Sequence, residues 1–478
     1  MNSIVIVRLL SILILVLSGF MFFPLAISIY YKEHVALAFL LPITIGIFVG
    51  STVLALTKSD KKEISKKDSF ILVVSSWILA SVFGCIPFIL GAHLNFTNAF
   101  FETMSGFTTT GASILTNIEI LPKSILFWRS LTHWLGGMGI IVLAVAILPI
   151  LGIGGVQLIK AEAPGPTMEK LSPRITSTAK YLWLAYVVLS LIETILLLFG
   201  GMNLFDALTH MFGTMATGGF STKNTSIAYF HSAYIDWVIT IFMFLAGMNF
   251  ALHFKLMMGK FSVFKDEELR FYIFIISAAV LIVTIKLLHY YGDFFTSLRY
   301  AAFQVVSIST TTGYATADYE KWPYLAQAIL FLMMFVGGCS GSTSGSIKII
   351  RIYTLLKQAI NEMKYYIHPK GIFLLKFNGK LVKKDTVYAI SGFFFLYIAT
   401  FFVIALLVSA FGVNLLTAFS ASAATLGNIG PGFGMIGPAE NYSHLPLIVK
   451  WILSFAMLAG RLEIYTVFVI FTPIFWKK

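Results

Sequence analysis

Four stretches of this 478-residue chain place oxygen atoms at a spacing that suits a dehydrated cation. Residues 99–112 read AFFETMSGFTTTGA, 207–220 ALTHMFGTMATGGF, 301–314 AAFQVVSISTTTGY and 418–431 AFSASAATLGNIGP. Each begins with Ala and reaches Gly twelve residues later, at Gly111, Gly219, Gly313 and Gly430. Rings of backbone carbonyls can replace the hydration shell of an ion. Glycine gives the backbone freedom that lets successive carbonyls face one way, and threonine adds a second oxygen on a stiff, β-branched side chain. The oxygens expected to do this belong to Thr108, Thr109, Thr110 and Gly111, then Thr217, Gly218 and Gly219. Thr310, Thr311, Thr312 and Gly313 follow, and last Asn428, Ile429 and Gly430. A lone Thr-Thr-Thr-Gly is an ordinary turn. Recurrence at matched offsets, 108, 94 and 117 residues apart, marks an internal repeat of a supersecondary unit.

The elements that must hold these tracts are hydrophobic. The chain is 58% hydrophobic and only 12% charged, with a mean hydropathy of +0.88. So little charge cannot cover a soluble protein of this size, so the composition implies an all-α polytopic membrane protein. Long apolar runs near 4–30, 35–57, 70–91, 124–150, 178–200, 233–258, 271–291, 323–358, 386–411 and 446–475 give ten expected spans. The first has no small-residue cleavage site and continues past Pro24, unlike a signal peptide. Each tract sits between two long runs, after an apolar stretch too short to span. The unit is therefore span, short re-entrant helix, tract, span. It covers 70–150, 178–260, 270–360 and 385–475, with two extra helices in 1–57. Four such units can close around one pseudo-fourfold axis, where non-helical backbone is tolerated because it is buried in protein or lines a cavity. Each short helix aims its partially negative C-terminal end at that axis.

Net charge is +13. Of the 34 Lys and Arg, 24 fall in 58–68, 151–180, 253–270, 348–384 and the C-terminus. These are alternate loops, so the charge is mainly an orientation signal and puts both termini on the cytoplasmic side. No basic-aromatic pattern for nucleic acid is present. Two cysteines, Cys85 and Cys339, cannot make a disulfide framework. No His-Glu-x-x-His, Gly-x-Ser-x-Gly or dinucleotide glycine motif points to an enzyme.

A second group of residues lies inside the spans. Residues 337–345, Gly337, Gly338, Cys339, Ser340, Gly341, Ser342, Thr343, Ser344 and Gly345, interrupt the run 323–358. So many glycines and hydroxyls make a poor lipid-facing helix. The segment is expected to be unwound, to face the axis and to act as a gate, with Lys348 and the basic sequence after it leading to the cytoplasmic face. On this reading only the third repeat is broken. Arg461 lies deep in the last span and is expected to face the axis; its alternative is a packing pair with Glu463 or a nearby carbonyl. Glu102 and Asp206 are expected to cap the short helices.

With these tracts, and with RSLTHWLGGMGIIVLAVAILP at 129–149, GGCSGSTSGSIK at 337–348, GNIGPGFG at 427–434 and AGRLEIYTVFV at 459–469, the whole chain resembles the Trk/Ktr/HKT superfamily of potassium transporters. It is most similar to the membrane subunit of bacterial Trk systems (TrkH/TrkG type), which the two extra N-terminal spans also suit. The resemblance implies potassium uptake across the bacterial inner membrane, with potassium as the transported ligand and no organic cofactor. It implies a homodimer and a cytosolic nucleotide-binding regulatory ring of the TrkA type, for which 151–180 and 348–384 would be docking surfaces. Serine at the first filter glycine goes with sodium transport in the plant branch, so glycine at all four positions implies potassium. Channel-like flow is the expectation, because the tracts hold no carboxylate; proton- or sodium-coupled symport is the alternative.

Overall fold

The computed structural model describes residues 3–57, 65–139 and 175–477. Two long helices come first, α1 (Ser3–Tyr30) and α2 (Ala36–Leu56), followed by α3 (Lys66–Gly84) and its short continuation α4 (Ile86–Gly91). The first unit then supplies the short helix α5 (Phe96–Phe107) and α6 (Lys123–Gly137). The second supplies α7 (Ile175–Phe199), α8 (Leu204–Met215), α9 (Ala233–Ala246) and α10 (Phe250–Met257). The third supplies α11 (Glu267–Tyr291), α12 (Phe294–Ser309), α13 (Tyr324–Met333) and α14 (Ile349–Ile367). The fourth supplies α15 (Lys384–Ala410), α16 (Leu415–Leu426), α17 (Leu447–Arg461), α18 (Glu463–Phe468) and α19 (Pro473–Trp476). Between the last two units a hairpin pairs β1 (Lys376–Phe377) with β2 (Lys380–Leu381), in the register Lys376 to Leu381 and Phe377 to Lys380. Its turn is Asn378-Gly379, both at positive φ. Such a turn matches the twist of two antiparallel strands.

The fold is all-helical and polytopic. Among the described residues six helices are long and apolar enough to cross a membrane; counting each bent pair as one span makes eight. Of the other two expected spans, 323–358 is split by a non-helical segment, and residues 140–150 of the run 124–150 lie outside the described residues. So do the basic segment 58–64 and most of 151–180.

The broken spans correct the expectation that only the third repeat is interrupted. α9 and α10 meet at 103°, and α17 and α18 at 108°. In the first unit α6 ends at Gly137, and Gly139 has φ +72. All four closing spans therefore end or bend at corresponding places. Only the length of the third break, 334–348, is special.

Each short helix packs on its own two flanking spans, and three also touch the closing span of the preceding unit. These contacts are α8 on α6, α12 on α9, and α5 on α17. This cyclic order draws the four units around one axis.

Candidate functional site

The short helices share their start and their end. An Asx side chain caps each: Asn95 accepts from Asn98 N, Asn203 from Asp206 N, Asp293 from Thr296 N and Asn414 from Thr417 N. Such caps satisfy N–H groups that have no partner within the helix. At the other end, an N–H just past each helix returns to a carbonyl in its last turn. These are Thr110 to Ser105, Gly218 to Gly213, Thr312 to Ser307 and Ile429 to Ala424, at 2.8–2.9 Å. That closure requires a left-handed residue. It is Thr109, Thr217, Thr311 and Asn428, with φ of 53–60°. A non-glycine residue there costs roughly 1–2 kcal/mol, and four equivalent cases mark a constrained site.

Two residues further on, Gly111, Gly219, Gly313 and Gly430 are left-handed again, with φ from +79 to +97. Each glycine lies against the carbonyl of the next tract. A Cβ on Gly111 would sit 2.2 Å from the Gly218 oxygen, and one on Gly219 2.0 Å from Thr312 O. The same contact on Gly313 is 2.0 Å from Ile429 O, and on Gly430 2.6 Å from Thr110 O. The four tracts thus close a ring in the order one, two, three, four, with no room for any side chain. The threonines of the ring, Asn428 and Ile429 are buried, whereas Gly111, Gly219 and Gly313 are partly exposed, which marks the open side. Threonine hydroxyls bond each other within tracts one and three, Thr108 to Thr110 and Thr310 to Thr312, both at 2.8 Å. Asn428 replaces that pairing in tract four: its amide donates to Thr110 Oγ1 and to the Met457 carbonyl, each at 2.9 Å.

The backbone after each glycine is strapped to its own short helix. Glu102 accepts from Ser113 Oγ and Ile114 N at 2.9 Å. His210 Nε2 bonds Ser221 Oγ at 2.8 Å, Gln304 donates to Tyr314 O at 3.3 Å, and Ser420 donates to Phe433 O at 2.8 Å. Glu102, His210 and Gln304 share one register position; Ala421 stands there in the fourth unit, and the preceding Ser420 substitutes. The expectation that Glu102 caps a helix is therefore corrected. It is fully buried in mid-helix and pairs with Arg129 at 2.6 Å. Arg129 goes on to Ser221 O at 2.8 Å, which ties unit one to unit two. Tyr314 ties three to two through His210 O and Phe220 O, and Tyr319 ties three to four through Gly432 O. Tyr442 N closes the circle on Ser113 O at 2.8 Å. Asp206 does lie in the first turn of α8, where it also accepts from Thr222.

Below the ring, at the C-terminal ends of the short helices, lies the Ser/Gly loop. Residues 337–345 are non-helical, and most are buried. Gly345 N donates to Thr311 Oγ1 at 2.7 Å, and a Cβ on Gly345 would meet Gly427 O at 2.3 Å. Cys339 N donates to Gly247 O, and Thr343 Oγ1 to Met215 O, both in unit two. Lys348 Nζ folds back on Ser342 and Ser344, across the loop it follows.

Arg461 ends α17 directly under the ring. Its guanidinium donates to Thr109 Oγ1 at 3.0 Å, to the loop carbonyl of Thr343 at 2.7 Å, and to Gly136 O and Gly137 O at 2.7 and 2.9 Å. It therefore bonds carbonyls from two other units. Glu463 turns away to Arg351 instead.

Three consecutive acids at the start of α11 hold three other elements. Asp266 accepts from the Asn378 amide at 2.7 Å, which fixes the hairpin. Glu267 accepts from Asn378 N at 3.0 Å and, on α14, from Tyr353 and Lys357 at 3.0 and 2.6 Å. Glu268 accepts from Ser340 N in the loop at 2.6 Å. The sequence reading passed over this clasp and the straps. The straps had a signal: the fourth column of the aligned tracts reads Glu, His, Gln, Ala.

Comparison with known proteins agrees with this architecture. The pattern of the TrkH family, described as "Cation transport protein", matches residues 35–478. The chain is 41% identical over 480 residues to the Trk system potassium uptake protein TrkH of Salmonella typhimurium, with 99% of each chain covered. It is 42% identical, at the same coverage, to the TrkH of Halomonas elongata. The crystal structure of the potassium transporter TrkH from Vibrio parahaemolyticus superposes with a TM-score of 0.90 over 100% of both chains, at 37% identity.

Proposed function

The chain belongs to the TrkH family of cation transport proteins, and from that footing we propose that it takes up potassium through a channel-like path along the axis of the four tracts. The observation that carries this reading is the closed ring, in which every glycine abuts the next tract's carbonyl. Successive carbonyls there form cages for a cation stripped of water. The oxygens of Thr108–Gly111, Thr217–Gly219, Thr310–Gly313 and Asn428–Gly430 are the proposed filter. The loop 337–345, with Lys348 and Arg461, is the proposed gate. It lies across the inner mouth of the ring and hydrogen-bonds to two of the other units.

The orientation follows from the lysine-rich loops. Both termini and the clasp face the cytoplasm, in a bacterial inner membrane. A second copy of the chain and a nucleotide-binding regulatory ring of the TrkA type are the proposed partners, with the basic segment 348–384 one docking surface for the ring.

Reconstitution in liposomes tests the proposal. With potassium inside and out at different concentrations, flux should follow the electrochemical gradient and continue when a proton ionophore clamps the pH. Flux that stops without a proton or sodium gradient would favour symport. Equal flux of potassium and sodium would remove the filter assignment.

A further inference from the structure

Nine lysines and no acid occupy two segments on the lysine-rich face, 249–265 and 363–384. The first holds Lys255, Lys260 and Lys265; the second holds Lys364, Lys370, Lys376, Lys380, Lys383 and Lys384. Both segments expose apolar side chains between the lysines. Phe261 is 70% exposed and Phe264 55%, with Met257 and Met258 also exposed beside them. On α14, Leu356, Ile360, Met363 and Ile367 recur at helical spacing and are all exposed.

For 249–265 the wall of a spanning helix is not the explanation. α10 has eight residues and is bent 103° from α9. If α9 descends through the bilayer, α10 and the turn after it run along the membrane plane. Val263 is buried and Arg270 donates to Phe264 O at 2.9 Å, so the segment is fixed with its two phenylalanines outward. The clasp acids Asp266 and Glu267 are engaged by Asn378, Tyr353 and Lys357. They therefore join the two segments into one surface and offer it little counter-charge.

Aromatic and apolar groups interleaved with lysines, lying in plane at the boundary, match the inner interface of a membrane. There the rings insert among the upper acyl carbons and the ammonium groups reach the headgroups. We infer that residues 255–265, backed by the hairpin and α14, form a ledge that binds anionic phospholipid headgroups of the inner leaflet. Charge complementarity favours anionic over neutral lipid. An acidic protein partner would use the lysines, yet it gives no reason for two phenylalanines to stand out at the level of the bilayer surface. This inference uses the orientation proposed above but not the filter or the gate.

The test uses the full-length protein in vesicles. Cys85 and Cys339 are free and buried, so a bimane label on Phe261→Cys reports that position, with Phe264→Cys as an independent reporter. Retained potassium flux certifies the fold of each variant. The vesicles are phosphatidylcholine alone or phosphatidylcholine with phosphatidylglycerol, with bromine on the acyl chains of one lipid at a time. Quenching is expected from brominated chains, and more strongly from the anionic lipid. Lys260→Gln with Lys265→Gln should reduce that preference by about fivefold per lysine at low salt, and added salt should reduce it further. A label unquenched by either lipid would show a surface that meets water or protein, and would overturn the inference. Equal quenching by both lipids, unchanged by the lysine substitutions, would overturn it as well.

Discussion

The outer and inner levels of the four units obey different rules. At the level of the ring the units are nearly interchangeable: an Asx cap, a left-handed residue at the helix end, and a left-handed glycine two residues later, four times over. One level down, where all four closing spans break, nothing matches. Unit two has a Gly-Met-Asn bend, unit three a long Ser/Gly loop, and unit four an arginine followed by a left-handed Glu463. The difference teaches what each level is for. An ion on the axis must be met alike from four sides, so the surrounding backbone is held uniform. A barrier that opens and closes needs one mobile part and fixed partners for it, so the inner level is free to diverge.

The sharpest way to break the outer level is Gly313→Ala. Its φ of +81 and a Cβ 2.0 Å from Ile429 O are both intolerable, and Pro431, with Cδ 2.8 Å away, stops the fourth tract from retreating. Potassium flux in liposomes should fall below detection in a protein that still elutes as a folded species. Retained flux would take glycine out of the ring.

Arg461→Ala attacks the inner level. A positive charge about 8 Å from a cation, at an effective dielectric near 20, costs about 2 kcal/mol. The substitution also frees Thr343 from its bond to the guanidinium. Basal flux should rise by up to roughly 30-fold. An unchanged flux would reduce Arg461 to a packing residue. Deletion of residues 338–344 should raise flux by a smaller factor and weaken the response to the regulatory subunit, since Arg461 stays in place. Lower flux from a folded deletion would remove the gate.

Gly111→Ser sharpens the comparison within the ring. Its Cβ meets Gly218 O at 2.2 Å, but the neighbouring tract there is Gly218-Gly219, which can yield. A several-fold drop in the potassium-to-sodium flux ratio is expected, and an unchanged ratio would place Gly111 outside the filter. The smallest effect belongs to Gly201→Ala. Gly201 has φ +90 but open space around it. It should lose about 1 kcal/mol in thermal unfolding with no change in flux, which separates backbone strain from a blocked ring.

Much of the outer level was legible in the sequence because it is local. Helix, cap, tract and glycine fall within some twenty residues and repeat. The inner level was not legible, for two reasons. Apolar runs such as Met243–Phe250 and Leu458–Ile464 continue across the bends, and a hydropathy window measures composition without direction. The straps and the Glu102–Arg129 pair join residues of unlike type. Where Glu, His, Gln and Ala share one position, a search for identical letters sees no repeat. The clasp was hidden by distance, since Asp266 and Glu267 meet Asn378 only after more than a hundred residues.

That clasp has a thermodynamic consequence. Asp266, Glu267 and Glu268 are consecutive, so the hairpin, α14 and the loop at Ser340 are joined through one turn of α11. If the loop has two positions and the hairpin prefers one of them, whatever grips the hairpin changes ion occupancy by some factor, and ion occupancy must change that grip by the same factor. Potassium in the ring would then be an effector of the cytoplasmic partner as much as its cargo. A tenfold coupling corresponds to about 1.4 kcal/mol, within the reach of a single hydrogen bond to a charged group.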